Sequence, residues 1–318
     1  KRNIRKTAAV LTALALCAGV LTGCGGAASG TASSVAASSA ASSEASGADA
    51  DELAAQNVAD LIDAIYVQQR TDDTDAQCEA AKAAWDALTD AQKELVEGEN
   101  ADPDYFGRDT GDASKDDARN ADEIGENELL VVSFGTSFND SRVADIKSIE
   151  DALQEANPDW SVRRAFTAQI IINHVQARDG EKIDNMQQAM DRAVENGVKN
   201  LVVQPTHLMN GLEYEELTDE LAKYSDSFEK IAIGDPLLTS DADFEAVMTA
   251  ITDATKDAAD GKTAICFMGH GTTADSNSVY SKMQTLLTDK GFNDYYVGTV
   301  EATPSLDDVL AAVQKGSY

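Results

Sequence analysis

Residues 201–211, LVVQPTHLMNG, give the clearest indication of the fold of this 318-residue chain. The apolar run 201–203 is typical of a buried strand, Pro205 ends that strand, and residues 211–224 are typical of a helix. His207 therefore follows the carboxyl end of a strand and precedes a helix, which is where open α/β sheets bind their ligands. The alternative for His207 is that it caps the turn.

A second histidine has the same kind of position. His270 lies in the sequence Gly-His-Gly-Thr, directly after the predicted strand 264–268. Two strand-end histidines in one α/β chain predict a metal or proton-transfer site between two halves. The third histidine, His174, falls on a predicted helix, and we place it on the helix surface.

Predicted strands alternate with predicted helices from residue 128 onward, which indicates an α/β fold with parallel sheets. We assign residues 128–235 to a first Rossmann-like lobe and residues 236–318 to a second. The turn 133–137 (SFGTS) recurs 136 residues later as 269–273 (GHGTT), so we expect two similar lobes with a cleft between them.

The second lobe has no counterpart of the strand that precedes His207. It is either naturally smaller or incomplete at its C-terminal side. We expect that it is incomplete, because a sheet with so few strands would expose its edge.

The N-terminus has the pattern of a lipoprotein signal. Residues 1–6 are basic, residues 7–21 are mostly apolar, and residues 21–24 (LTGC) match a lipobox. We predict a signal peptide over residues 1–23 and acylation of Cys24, which would hold the protein outside the cytoplasmic membrane by its lipid alone. Residues 24–50, rich in Ser and Ala, predict a flexible tether.

Two further segments precede the lobes. Residues 51–98 predict a small helical spacer or a docking hairpin, and residues 99–127, rich in Asp, Gly and Asn, predict a second, acidic linker. The net charge of −31 argues against a nucleic-acid partner. Cys78 and Cys266 fall in separate predicted modules, so we expect no disulfide between them. A homo-oligomer and a transporter partner are both left open.

Six segments resemble, in order and spacing, the anaerobic sirohydrochlorin cobaltochelatases, which are class II tetrapyrrole chelatases related to ferrochelatase. The segments are 129–136 (LLVVSFGT), 162–167 (VRRAFT), 202–207 (VVQPTH), 234–238 (GDPLL), 267–272 (FMGHGT) and 297–308 (VGTVEATPSLDD). The resemblance implies a bilobal fold with the tetrapyrrole in the cleft, two active-site histidines and Co²⁺ as the substrate metal. Fe²⁺ is the alternative metal, and no organic cofactor is implied. The family's further Gly-Asp-His-Ala-like segment is absent from this sequence, as are the His and Pro often found after Thr272.

We assign the implied metal site to His207 and His270, as metal ligands and proton acceptors, and to a carboxylate. Glu301, at the end of the strand after His270, is the first choice for that carboxylate, and Asp235 is the second. Glu301 has an alternative role as an acid at a helix N-terminus.

The carboxylate-rich tetrapyrrole also requires a cation in the cleft. Arg163 and Arg164 alternate across one strand, so one of them faces the cleft, and we assign Arg164. Turns that precede helices can hold carboxylates through backbone N–H groups. The assigned substrate-binding residues at these turns are Ser133, Gly135, Thr136, Gly271 and Thr272.

The predicted function is insertion of Co²⁺ into sirohydrochlorin. The first alternative is an extracytoplasmic protein that binds a tetrapyrrole, haem or a metal ion for uptake. The second is an adhesion or spacer protein, against which the matching contexts of His207 and His270 argue. Turnover distinguishes the enzyme from the binding protein, because a carrier binds one equivalent and does not metallate it.

Overall fold

The computed structural model describes residues 38–316 and residue 318. Four parallel strands form one sheet in the order β2-β1-β3-β4, and two parallel strands form a second sheet, β5-β6. These two sheets confirm the predicted α/β class with two parallel-sheeted lobes. The strands are Asn127–Ser133 (β1), Ser161–Phe166 (β2), Asn200–Pro205 (β3), Lys230–Ile233 (β4), Ile265–Gly269 (β5) and Tyr295–Thr299 (β6).

Helices connect these strands and precede them. Residues Arg142–Lys147 continue α5 as a π-helix into α6. The α-helices are Ser38–Ile65 (α1), Thr74–Asp86 (α2), Asp90–Lys93 (α3), Asp104–Gly107 (α4), Asn139–Ser141 (α5), Ser148–Ala156 (α6), Gln169–Asp179 (α7), Met186–Glu195 (α8), Leu212–Ala222 (α9), Asp241–Thr255 (α10), Ser278–Asp289 (α11) and Leu306–Val313 (α12).

The central strand β1 is buried on both faces. Leu130 and Val132 pack into the core that α8 and α9 share, and Leu129 and Val131 pack on the opposite face of the sheet. This is why β1 is an unbroken apolar run, as central strands of parallel sheets are. In the second lobe, buried or half-buried residues alternate with exposed ones along β5, and Cys266 is one of the exposed residues.

The predicted signal peptide, residues 1–23, and Cys24 lie outside the described residues. Helix α1 begins at Ser38, so part of the stretch predicted as a flexible tether, residues 24–50, is helical. Alanine, the strongest helix former, is frequent in this stretch. None of the helices from Ser38 onward combines the length and apolar character that a membrane span requires.

The helical segment predicted as a spacer or a docking hairpin packs on the first lobe. Residues 48–318 form one compact unit. Ile62, Cys78 and Trp85 share an apolar core with Ala177 of α7. The Asn173 Nδ2 donates a 2.8 Å hydrogen bond to the Ile65 carbonyl, which satisfies the C-terminal end of α1. The segment therefore packs on α7 instead of standing apart.

The stretch 99–127 also differs from the acidic linker that its composition predicted. Tyr105 and Phe106 of α4 are buried in the same core. Asp116 is buried between two arginines, with its Oδ2 2.8 Å from both Arg142 Nε and Arg164 Nη1. Composition failed for Asp116 because it counts this acid as solvated, whereas in the fold Asp116 neutralises two arginines of the lobe.

His174 is packed, and not on the helix surface as predicted. Its ring stacks on Tyr105, with the ring centroids 4.1 Å apart and the planes 9° apart. Its Nε2 lies 2.7 Å from the Tyr105 carbonyl oxygen, which fixes the proton on that nitrogen. Burial, and to a smaller extent the nearby Arg178, lower the pKa of His174 to about 4.

We expect His174 to make the fold sensitive to acid. The pKa of His174 is below its unfolded value, so the unfolded chain binds more protons between pH 6.5 and pH 4. The contribution of His174 to the free energy of unfolding is fully present above pH 6.5. It falls by roughly 3 kcal/mol as the pH drops to 4. Urea unfolding of the wild type and His174→Gln at several pH values measures this. Parallel pH profiles of the two proteins would contradict it.

Candidate metal-insertion site

His207 lies where the strand order of the first sheet reverses. In the sheet, β2 lies on the outer side of β1 and β4 lies on the outer side of β3. The crevice therefore lies between β1 and β3, at their carboxyl ends. Thr206 ties the two ends together: its N–H donates to the Val132 carbonyl (2.9 Å) and its Oγ1 donates to Ser133 Oγ (2.8 Å). The predicted strand-end position of His207 is thereby confirmed.

The loop after His207 joins the two lobes. The Leu237 N–H donates to the His207 carbonyl, and the Leu238 N–H donates to the Leu208 carbonyl, both at 2.9 Å. Leu238 is buried in the core of the second lobe, and Met209 packs against the same core. His207 therefore lies at the junction of the lobes.

The imidazole of His207 is buried without a partner. Neither ring nitrogen has a hydrogen-bond partner within the described part of the chain. Burial lowers the pKa of His207, and the nearby Glu213 acts in the opposite direction. A neutral imidazole has one nitrogen lone pair available to accept a proton or bind a metal.

His270 and Glu301 form a pair at the carboxyl edge of the second sheet. The Nε2 of His270 lies 3.3 Å from the Glu301 Oε2, and the two side chains are 77% and 65% exposed. The Glu301 N–H donates to the His270 carbonyl (2.9 Å), and the Val300 N–H donates to the Gly269 carbonyl (3.0 Å). These bonds continue the β5-β6 ladder, so the backbone holds the two side chains together.

An imidazole nitrogen beside a carboxylate oxygen is a donor set suited to a divalent first-row metal. Because both side chains are exposed, a metal ion can reach the pair from solvent. Among residues 38–316 and 318, however, no three His, Cys, Asp or Glu side chains converge on one metal position. Of the three predicted metal ligands, His270 and Glu301 therefore lie together, and His207 does not converge with them. Asp235, the second choice, is exposed after β4.

Gly271 lets the turn after His270 close onto the Glu301 loop. Its φ is +90°, in the left-handed region that favours glycine. A Cβ at this position would lie 2.8 Å from Ala302 Cβ and 2.9 Å from Ala302 N. The neighbouring Thr272 N–H donates to Asn277 Oδ1 (3.1 Å), whose Nδ2 donates to the Thr303 carbonyl (2.7 Å). Gly271 and Thr272 therefore shape the His270–Glu301 pair.

We expect Gly271→Ala to destabilise the protein by about 1–3 kcal/mol and to slow metal insertion, because the loop carrying Glu301 must move. Gly291→Ala is the matched control, since Gly291 has the same φ of +90° and open space around its Cβ position. Urea unfolding and the insertion rate of both variants measure the difference. Equal effects of the two substitutions would refute the role of this contact.

The corresponding turn of the first lobe has the same geometry. Gly135 has φ +101°, and a Cβ there would lie 2.5 Å from the Phe166 ring. Ser133 is buried against Thr206, and Thr136 Oγ1 accepts a hydrogen bond from the Phe138 N–H (3.2 Å). These side chains, predicted to bind substrate, shape the turn through internal contacts.

Arg164 does not face the cleft, and its prediction as a substrate-binding residue is corrected. Its Nη2 lies 2.6 Å from Glu150 Oε2 and its Nη1 lies 2.8 Å from Asp116 Oδ2. Arg163 is equally buried, between Glu128 and Asp184. Both arginines form ion pairs with buried acids. The alternation of residues along the strand could not show this, because the partner acids come from distant segments.

Two aromatic residues that sequence reasoning missed lie on the turn after β1. Phe134 and Phe138 are 46% and 41% exposed. The signal available in the sequence was a pair of large apolar residues inside a turn, where polar residues are usual. They give the carboxyl edge of the first sheet an apolar surface of the kind that a macrocycle can contact.

Known proteins match this chain over the two lobes. The profile of the cobalt chelatase (CbiK) family matches residues 127–318. A sirohydrochlorin cobaltochelatase of Salmonella typhimurium is 32% identical over 186 residues, which are 58% of this chain and 70% of the relative. The sirohydrochlorin cobaltochelatase CbiKC of Nitratidesulfovibrio vulgaris is 27% identical over 190 residues, 59% of this chain and 66% of the relative.

Proposed function

Because this chain belongs to the cobalt chelatase (CbiK) family, we propose that it inserts Co²⁺ into sirohydrochlorin. The observation that carries the site assignment is the exposed pair of His270 Nε2 and Glu301 Oε2, 3.3 Å apart at the carboxyl ends of β5 and β6. Co²⁺ is the substrate metal. Fe²⁺ binds such N and O donors more weakly than Co²⁺, so it is the secondary metal.

Insertion exchanges two pyrrole N–H protons for one Co²⁺ ion and strips water from that ion. His270 and Glu301 replace part of the hydration shell and hold the ion at the edge of the cleft. The nitrogens of the macrocycle then take over the coordination, so the protein pair binds the metal transiently. The donor pair binds the metal ion without an organic cofactor.

We assign His207, the other histidine of the predicted site, to proton transfer. His207 is neutral and buried at the junction of the lobes, with both ring nitrogens free of protein partners among the described residues. A neutral imidazole at that place can accept one of the two pyrrole protons as the metal enters, and the other proton passes to solvent water. This division leaves metal binding to lobe 2 and proton transfer to lobe 1.

An anaerobic insertion assay tests the proposed function. Purified protein from residue 48 onward is mixed with sirohydrochlorin and Co²⁺, and the absorption change that accompanies metallation is followed. We expect an initial rate proportional to protein concentration and above the rate without protein. A rate equal to that of the protein-free control would refute the proposal.

The lipobox at residues 21–24 supports a proposal about location. We propose that Cys24 is acylated and anchors the protein outside the cytoplasmic membrane. Metabolic labelling with a fatty acid should mark the wild type and leave Cys24→Ala unlabelled. Label on both proteins, or on neither, would contradict acylation at this residue.

The same lipobox favours a second candidate function, a tethered protein that binds a tetrapyrrole or metal ion for uptake, with a transporter as its partner. Such a carrier would use the cleft and the His270–Glu301 pair for binding. It would hold one equivalent of ligand for each protein molecule and would not metallate an excess.

A further inference from the structure

The proposed substrate is rich in carboxylates, whereas this protein carries a net charge of −31. Binding is therefore favoured by a cation at the cleft that keeps N–H donors free after it has paired with the protein's own acids. Arg163 and Arg164 are excluded, because both are buried in ion pairs. The inference below rests on the proposed function.

A cavity of about 240 Å³ lies beside the turn that follows β1. This turn starts at Ser133, whose hydroxyl contacts Thr206 next to His207. Because Ser137 and Phe138 line the cavity, it lies beside the loop that leaves the carboxyl end of β1. Its lining includes Tyr105, Arg108, Phe138, His174 and Arg178, together with the acids Asp102 and Asp104.

The two arginines of this cavity differ in what they already bind. Arg178 is nearly buried, and its Nη2 donates to the Ser137 carbonyl (2.7 Å) and to Asp179 Oδ2 (2.6 Å). Arg108 is 52% exposed, and its Nη2 donates to Asp104 Oδ2 at 2.6 Å. A guanidinium has five N–H donors in a planar fork, so Arg108 has donors left for a second carboxylate.

Arg108 is directed at the turn by its contact with Phe138. The centre of its guanidinium lies 5.8 Å from the centroid of the exposed Phe138 ring. Such stacking favours a fixed orientation of the cation over the ring. If a macrocycle contacts Phe138, a carboxylate on its rim would meet the N–H donors of Arg108 that remain unpaired.

The backbone around Arg108 is held on both sides. Upstream, Tyr105 stacks on His174 of α7. Downstream, the Thr110 carbonyl accepts a hydrogen bond from the Asp140 N–H (2.8 Å), and Thr110 Oγ1 accepts one from Asn139 Nδ2 (3.3 Å). The N-terminal segment therefore presents Arg108 from a fixed position, which reduces the entropy lost on binding.

We propose that Arg108 binds a peripheral carboxylate of the tetrapyrrole beside Phe138 and thereby contributes to substrate specificity. Residue 108 lies outside the family match at 127–318. The segment that precedes the chelatase lobes thus supplies a substrate-binding residue to them.

Steady-state insertion kinetics and metal-free binding of sirohydrochlorin test the proposal. We expect Arg108→Gln to raise the KM for sirohydrochlorin, and its Kd without metal, about three- to fivefold, as for loss of a solvent-exposed ion pair. The kcat should not change. The KM of the wild type should rise with salt more steeply than that of the variant. Arg108→Lys should recover part of the affinity, because it keeps the charge and loses the planar fork.

Lys82→Gln is the matched control. Lys82 also forms an i,i+4 ion pair in the N-terminal segment, with Asp86, and its loss changes the net charge equally. An equal rise in KM for both variants would refute a local role for Arg108, as would an unchanged KM in Arg108→Gln. Insertion by the wild type in the same assay shows that such a result overturns this inference alone and leaves the proposed function intact.

Discussion

Replacing His270 by alanine should lower the rate of Co²⁺ insertion by at least about 100-fold, in the range of losses of a positioned catalytic side chain. The variant removes one of two donors, and a lone exposed carboxylate holds Co²⁺ far less well than an imidazole–carboxylate pair. Glu301→Gln should have a similar effect, because an amide oxygen carries no charge to attract the ion. The fold should persist, since both side chains are exposed.

The measurement is the initial insertion rate as a function of Co²⁺ concentration. Glu245→Gln is the matched control for Glu301→Gln, because Glu245 is an exposed acid of the same lobe that pairs with Lys290. It should keep the wild-type rate. Full activity of both His270→Ala and Glu301→Gln would mean that the metal is handled elsewhere.

The largest expected effect on stability comes from Arg164→Leu. Arg164 neutralises Glu150 and Asp116, which are as buried as the arginine itself. Arg142 and Arg119 still pair with these two acids in the variant, but the buried network is one positive charge short. Removing one partner of a buried ion network typically costs about 3–5 kcal/mol. We therefore expect urea unfolding to show a loss of that size.

Lys147→Ala serves as the control for Arg164→Leu. Lys147 pairs with Asp151 at the surface of the same lobe, and loss of an exposed pair should change stability by less than about 1 kcal/mol. If Arg164→Leu also changed stability by less than 1 kcal/mol, the ion network would have no structural role, and Arg164 would again become a candidate for substrate binding.

Local periodicity predicted the elements of the two lobes because their burial follows directly from the sequence. The run Leu129–Val132 is apolar since β1 is covered on both faces. Gly135 and Gly271 recur at the same offset since both turns require a positive φ. The placement of His270 next to Glu301 also followed from local rules, because both residues end neighbouring parallel strands.

Local sequence patterns could not predict contacts between segments that are distant in the chain. The predicted acidic linker contains Asp116, which pairs with Arg164, 48 residues later in the chain. Arg108 approaches Phe138 only because α4 packs on α7, and no periodicity in residues 99–127 indicates that docking. His174 illustrates the same limit, since its partner Tyr105 belongs to a segment that composition assigned to solvent.

The most direct test of the account is the number of sirohydrochlorin molecules metallated per protein molecule. Protein from residue 48 onward is supplied anaerobically with a roughly tenfold excess of sirohydrochlorin and Co²⁺, beside His270→Ala. We predict that the wild type converts all of the substrate, well beyond one equivalent, while the variant stays close to the protein-free background. A spectral change in the wild type that stops at one equivalent would contradict the chelatase function and identify the protein as a carrier.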